Sequence, residues 1–381
     1  MFYNCRPGIF TNLYIKKDMF NTSSTSFFRY TSDFTVPRVV KIWLITGLVM
    51  IFVQIIIGGV TRLTGSGLSI TRWEIVTGSV PPLNAAEWTA EFELYQDTPQ
   101  YEKINQGMTL SEFKFIYFWE YFHRLWARLM FMVFVIPFGY FLWKGMFSRR
   151  LVPRLLWVVA LAGLEGFFGW IMVASGLIKR PWVNAYNLTL HLTMALVIFS
   201  YLLWTAFTAI RPAPAAATLT QRSDRRWGWM LLGLAFVQIA LGAMMSGAKA
   251  GLSYPTWPLM NGSWLPSVLL DGSQWQAESF IHYDASSFMP TFIQFFHRNV
   301  AYLLTASIAW FIWKNRNIPD VSFKRSLWAM GGMTSVQVFL GIWTIISCVG
   351  KVPVDLGVYH QGGAVLLLST ILWVGYQMRK N

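Results

Sequence analysis

Apolar residues in this chain are gathered into long runs separated by shorter polar links. Runs of about 20 predominantly apolar residues are long enough to cross a bilayer as helices. They lie near 41–60, 115–143, 155–176, 187–210, 227–246, 291–313, 326–348 and 356–378. The pattern predicts an all-α integral membrane protein with eight transmembrane helices, and these fill the length without room for a soluble catalytic domain. Composition agrees: of 381 residues, 55% are hydrophobic and 13% charged, with 20 Trp and 30 Phe, outside the range of a soluble domain.

The net charge of +14 is a topology signal rather than a nucleic-acid one, because no basic run with interleaved aromatics lies on a soluble module. Lys144, Arg149, Arg150 and Arg154 follow the second span. Arg211, Arg222, Arg225 and Arg226 follow the fourth, Lys314, Arg316, Lys324 and Arg325 the sixth, and Arg379 and Lys380 the eighth. All fall on one side if the amino terminus is inside. The opposite loops are acidic or neutral, with Glu74, Glu87, Glu91, Glu93, Asp97, Glu102 and Glu112 in 61–114; Lys179-Arg180 is a small exception. Spans two, four, six and eight therefore enter from outside.

Residues 1–40 form a leading segment. Arg6, Lys16, Lys17, Arg29 and Arg38, many Ser and Thr, and no long apolar core favour a mitochondrial targeting segment over a secretory signal. The alternative is a cytoplasmic tail of a bacterial membrane protein. Cys5 and Cys348 are too few and too far apart for a disulfide framework or a thiolate metal site.

The chain repeats itself. Gln54, Gly58, Gly67, Leu68, Ser69, Trp73 and Gly78 recur as Gln238, Gly242, Gly251, Leu252, Ser253, Trp257 and Gly262, all at an offset of 184. Tyr121-Phe122-His123-Arg124 then matches Phe295-Phe296-His297-Arg298, Phe168-Gly169-Trp170 matches Leu340-Gly341-Ile342, and His191 matches His360. Each half has four spans running in the same sense, so the expected fold is two four-helix bundles related by a pseudo-twofold axis along the membrane normal. The halves are 41–210 and 227–381, joined by an inner linker at 211–226.

Each half carries two histidines at the starts of its inward-running spans, His123 and His191, then His297 and His360. Ionisable groups at membrane depth mark function, and paired neutral imidazoles on facing helices suit a six-coordinate haem iron. All four are read as haem-iron ligands. A di-metal site would need a carboxylate beside each histidine, which the second half lacks. Glu120 precedes His123 by three residues, on the same helical face, where the second half has Gln294. Glutamine keeps the shape but cannot exchange a proton near neutral pH. The labour is thus expected to be divided: Glu120 serves chemistry in the first half, and the second half holds a permanent haem. Arg124 and Arg298 either anchor their helices or pair with haem propionates; Arg62 and Arg72 are further candidates. His282 has no counterpart and is expected to be solvated.

With these residues assembled, the chain resembles the heme A synthases from about residue 40 to 378. The resemblance rests on Gly-Gly-Val-Thr-Arg-Leu-Thr-Gly-Ser-Gly-Leu-Ser at 58–69, Met-Thr-Leu-Ser-Glu-Phe-Lys at 108–114 and Glu-Tyr-Phe-His-Arg at 120–124. It continues through Gly-Trp-Ile-Met-Val-Ala-Ser-Gly-Leu at 169–177, Ala-Gly-Leu-Ser-Tyr at 250–254, Gln-Phe-Phe-His-Arg at 294–298, and His360. It implies oxidation of haem O to haem A by successive oxygenation of a haem methyl to a formyl, for cytochrome c oxidase. It also implies haem b on His297 and His360, substrate haem between His123 and His191, and an essential glutamate at Glu120. A homo-oligomer, a haem O synthase partner and an electron donor, with a ferredoxin as one candidate, are further implications. The chain lacks the outer-loop cysteine pairs of some bacterial members and has Asn187 where an arginine is common. It resembles the mitochondrial and alphaproteobacterial branch, which implies the mitochondrial inner membrane with the amino terminus in the matrix, or a bacterial cytoplasmic membrane. Two other functions stay open on the residues alone: a bis-histidine cytochrome b-like electron carrier, and a haem transporter without chemistry.

Overall fold

A computed structural model of the chain describes residues 35–72, 78, 80–176, 181–211 and 222–379. Most of the leading segment with Cys5, Trp73 and Glu74, Leu177, Lys179-Arg180, and linker residues 212–221 lie outside the described residues. Among the described residues the regular structure is helical apart from one isolated bridge between Met260 and Ser263. The α-helices are α1 (Arg38–Leu63), α2 (Ala85–Gln96), α3 (Leu110–Trp143), α4 (Leu151–Gly176), α5 (Ala185–Ile210) and α6 (Arg222–Gly247). They continue as α7 (Ala277–Ile281), α8 (Phe288–Asn315), α9 (Val321–Ile346) and α10 (Val354–Gln377).

The protein is a multi-pass helical membrane protein. Seven helices, α1, α3, α4, α5, α6, α9 and α10, are long and apolar enough to cross a bilayer. Large apolar side chains such as Ile136, Trp157, Trp313 and Trp328 stand exposed on the outside of the bundle, where lipid is their natural solvent. Helix α8 has the length but not the hydropathy. The reason lies in Gln294, His297, Arg298 and Asn299, a polar cluster within its first turns; Gln294 and Arg298 are buried against the rest of the protein.

Helix packing forms two closed cycles. Helices α1, α3, α4 and α5 touch in sequence and close back on α1, and α6, α8, α9 and α10 do the same. Helices α1, α5, α6 and α10 also contact across the two groups and form the centre of the molecule. Small residues allow the close approach that packing in lipid depends on: a Cβ at Gly247 would lie 2.7 Å from the Ala185 Cα. Polar ties reinforce the junction, with Arg62 Nη2 donating to the Ser246 and Gly247 carbonyls at 2.8 and 3.2 Å and Gln361 Nε2 donating to the Ile55 carbonyl at 2.6 Å.

Two local signals build one end of the bundle over α1, α3, α4 and α5. Helix α1 stops in a Schellman arrangement: Gly65 takes a positive φ of 71°, its N–H reaches the Arg62 carbonyl, and the Ser66 N–H reaches that of Thr61. The chain is thereby folded back so that Ser66–Ile70 lies over the helix end. Helix α3 starts early, at a capping box between Thr109 and Glu112. At 34 residues it runs to about 51 Å, against a hydrocarbon core of about 30 Å. Its extra turns pack Phe113, Ile116 and Tyr117 against Tyr95 of α2. Burial pushes the Tyr95 phenol up to about 12, so it remains a neutral partner for Gln100 and Asn105.

Candidate functional site

The four histidines occupy one motif used four times. In each of four helix pairs, α1 with α3, α4 with α5, α6 with α8 and α9 with α10, the second helix carries the histidine and the first presents a glycine to its ring. A Cβ on Gly58, Gly169, Gly242 or Gly341 would lie 3.0, 3.1, 3.1 or 2.9 Å from Cε1 of His123, His191, His297 or His360 respectively. Each imidazole is therefore seated where only glycine leaves room. One helical turn before each glycine stands a long polar side chain: Gln54, Glu165, Gln238 and Gln337. The spacing of four puts it on the same face, and it reaches the same histidine. Gln54 Nε2 lies 3.3 and 3.2 Å from the His123 ring nitrogens, Gln238 Nε2 3.1 and 3.3 Å from those of His297, and Gln337 Nε2 3.1 Å from His360 Nδ1. Glu165 Oε1 lies 3.0 Å from His191 Nδ1.

The second-half pair has the spacing of two axial ligands. The His297 and His360 ring centres are 6.5 Å apart with their planes at 80°. A metal–imidazole bond of about 2.0–2.1 Å plus roughly 1.1 Å from nitrogen to ring centre, doubled, requires about 6.3 Å. The unmet hydrogen bonds fit the same group: Gln54 Oε1, Glu165 Oε2, Gln238 Oε1 and Gln337 Oε1 are buried without partners, as is His191 Nδ1. An imidazole that binds iron through Nε2 keeps its proton on Nδ1 and needs an acceptor there. Glu165 offers His191 such an acceptor directly, and Gln238 offers one to His297 after an amide rotation, since its N and O ends are interchangeable by assignment. Gln54 and Gln337 also donate Nε2 to the His123 and His360 backbone carbonyls at 3.2 and 2.9 Å, which holds each amide against the helix that carries its histidine. Among the described residues no three His, Cys, Asp or Glu side chains converge as an all-protein metal site would require.

Glu120 is buried, at 2% exposure, and its carboxylate is fully engaged. Oε2 accepts from the Ser69 N–H and hydroxyl, both at 2.7 Å, and from the Ile70 N–H at 2.9 Å. Oε1 pairs with Arg124 Nη2 at 2.5 Å. The folded-back outer segment and the histidine helix are thus joined through one carboxylate. The second half joins the same elements differently. Gln294 Nε2 donates to the Tyr254 carbonyl at 2.8 Å, and its Oε1 is unpartnered. Arg298 donates to the Tyr254, Thr256, Pro258 and Leu259 carbonyls. Arg124 also reaches the Ile70 and Arg72 carbonyls at 3.4 Å. Both arginines therefore hold the segments that follow α1 and α6 against the helices that carry the histidines. Arg62 is committed to the junction between the two helix groups.

His282 is exposed and pairs with Glu278, at 2.9 Å. Cys348 is a free, buried thiol. Asn187 Nδ2 donates to the Ser175 hydroxyl at 2.8 Å, a contact between α4 and α5.

Comparing the halves as units misses Glu165 and Gln337. Their signal is a Gln or Glu four residues before a glycine on each odd-numbered span, which becomes visible only when four helix pairs, and not two halves, are aligned. So read, the first helix group carries carboxylates at two places, Glu120 and Glu165, where the second carries Gln294 and Gln337.

Known proteins resemble this chain over most of its length. A family model, COX15-CtaA, cytochrome oxidase assembly protein, matches residues 41–372. The Heme A synthase of Nitrosomonas eutropha is 39% identical over 338 residues, 88% of this chain and 92% of its own. That of Rhodospirillum centenum is 41% identical over 346 residues, 90% and 89%, and that of Rhizobium meliloti 42% over 342 residues, 89% and 90%. The four histidines and the glycines that seat them all fall inside the matched region, and the chain belongs to the COX15-CtaA family of cytochrome oxidase assembly proteins, with the heme A synthases among its relatives.

Proposed function

We propose that the protein is a heme A synthase: it converts haem O to haem A for cytochrome oxidase by successive oxygenation of a haem methyl group to a formyl. The observation that carries the reading is two histidine pairs in one framework, differing at Glu120 against Gln294. In this reading the polypeptide crosses the membrane eight times, α8 included, as two pseudo-twofold-related four-helix bundles. These are 41–210 and 227–381, with 211–226 as the inner linker. His297 and His360 would hold haem b, and His123 and His191 would hold the substrate haem.

A haem held there would supply the redox chemistry; the protein supplies position and protons. Glycines 58, 169, 242 and 341 set how closely each imidazole approaches its neighbouring helix, and the adjoining Gln or Glu fixes the tautomer. Glu120 is the group beside His123 that can carry a proton, which its second-half counterpart Gln294 cannot do. Ser69 and Ile70 hold it rigidly, as a catalytic carboxylate requires. Arg124 and Arg298 tie down the segments that follow α1 and α6, and a guanidinium beside each site would also suit a propionate.

A lipid bilayer is the setting, and the mitochondrial inner membrane with the amino terminus in the matrix suits residues 1–40; the curated relatives are bacterial, so a bacterial cytoplasmic membrane is the alternative. Haem O synthase, an electron donor such as a ferredoxin, and further copies of the chain are the expected partners. The test is to purify the protein from cells that also make haem O, extract the non-covalent haems, and identify them by chromatography and mass. Haem b with haem A or a hydroxylated haem O is expected. Two haem b per chain despite available haem O would instead mean an electron-transfer cytochrome.

A further inference from the structure

Glu165 breaks the fourfold motif in charge while keeping it in shape. Of the four long polar side chains that back the histidines, three are neutral amides and one is a carboxylate. Its Oε1 is 3.0 Å from His191 Nδ1, a distance suited to a hydrogen bond, but the contact is not aligned with the ring N–H: His191 Nδ1 and Glu165 Oε2 are both left without a partner. Among the described residues Glu165 has no other hydrogen bond or ion pair. Nothing else therefore engages this half-buried carboxylate, which sits one turn from the glycine that seats the imidazole.

We propose that Glu165 is a positioning residue that makes the first-half iron site richer in electron density than the second-half site. The inference rests on the reading of His123 and His191 as ligands of the substrate haem. Fixing His191 through Nε2 turns its Nδ1–H onto the Glu165 carboxylate. A charged acceptor takes that proton more strongly than an amide does, which raises the basicity of the ligand. The more basic imidazole, with a negative charge behind it, favours ferric over ferrous iron and lowers the reduction potential. The second half, with Gln238 and Gln337 in the equivalent places, keeps two amide-backed ligands and the higher potential. Two sites of one framework thus receive different electronic character from a single carboxylate, and Glu120 remains the group for protons.

The test uses the full chain purified with its resident haem and loaded with haem O. Potentiometric titration resolves the two haems, and electron paramagnetic resonance of the ferric protein reports the character of their axial ligands. Glu165→Gln should raise the first-half potential and shift that site's spectrum toward the second-half signal, with the second-half haem unmoved. Gln337→Glu should do the reverse, lowering the second-half potential. If Glu165→Gln keeps its haem with potential and spectrum unchanged, the proposal is overturned. Should that variant release the haem, Gln337→Glu decides, and an unmoved second-half potential there is equally fatal. A wild-type protein without a bis-histidine first-half haem would remove the functional reading itself, and the proposal with it.

Discussion

Gly341→Ala is the sharpest test of the seating of the histidines. The added Cβ would stand 2.9 Å from His360 Cε1 and 3.6 Å from both ring nitrogens, where ordinary contact begins at 3.4 Å. The ring must then retreat by roughly 0.5 Å, more than the ~0.2 Å that metal–ligand distances tolerate. Overpacking of this kind costs about 1–3 kcal/mol, which at about 1.4 kcal/mol per factor of ten predicts roughly 5- to 140-fold weaker retention of haem b. The control is Gly332→Ala on the same helix, where a Cβ meets nothing within 4 Å. Both changes favour the helix itself by up to about 1 kcal/mol, so a fall in haem content cannot be put down to a weakened α9. The assay is haem b per chain after detergent purification, with the absorption spectrum as a check on low-spin ligation. Full haem content and an unchanged spectrum in Gly341→Ala would refute the seating argument.

Other changes probe the surrounding parts. Ser69→Ala removes one hydroxyl donor from Glu120, and loss of a hydrogen bond to a charged group is worth about 1.5–3 kcal/mol. Haem O turnover should fall by tenfold or more with haem b content intact, whereas Ser253→Ala should leave turnover near wild type; equal effects would contradict the division of roles. Arg62→Met takes the donor from the Gly247 carbonyl and leaves that of Ser246 with the Lys249 N–H alone, so the thermal midpoint should drop by the equivalent of about 1–3 kcal/mol. An unchanged midpoint would mean that this tie across the centre adds nothing. Thr109→Ala dismantles the capping box of α3, worth about 1 kcal/mol, and limited proteolysis should accelerate around 97–110 while the helices within the membrane stay protected.

Much of this was legible in the sequence because membrane helices announce themselves by composition. The helix starts moved outward by a few residues, since caps such as Thr109 and Asp320 are polar and lie outside any apolar window. Helix α8 was legible by position, although its polar first turns keep its hydropathy below that of the other long helices. The offset of 184 exposed Gln54 and Gln238, and the Glu120/Gln294 difference was visible beside the histidines. Glu165 was not, because its meaning depends on which helix face meets His191 across the α4–α5 pair. The backbone partners of Glu120 were also hidden: Ser69 and Ile70 reach it only because Gly65 folds the chain back over α1. The arginines after the histidines could be read either as anchors or as anion partners, and their hydrogen bonds place them on the outer segments.

The central claim is that the first half does chemistry that the second cannot, and Glu120→Gln tests it directly because it gives the first half the residue that the second already has. The variant, purified from cells that make haem O, should retain haem b and yield neither haem A nor a hydroxylated haem O. Haem A at the wild-type level in that variant would contradict the account.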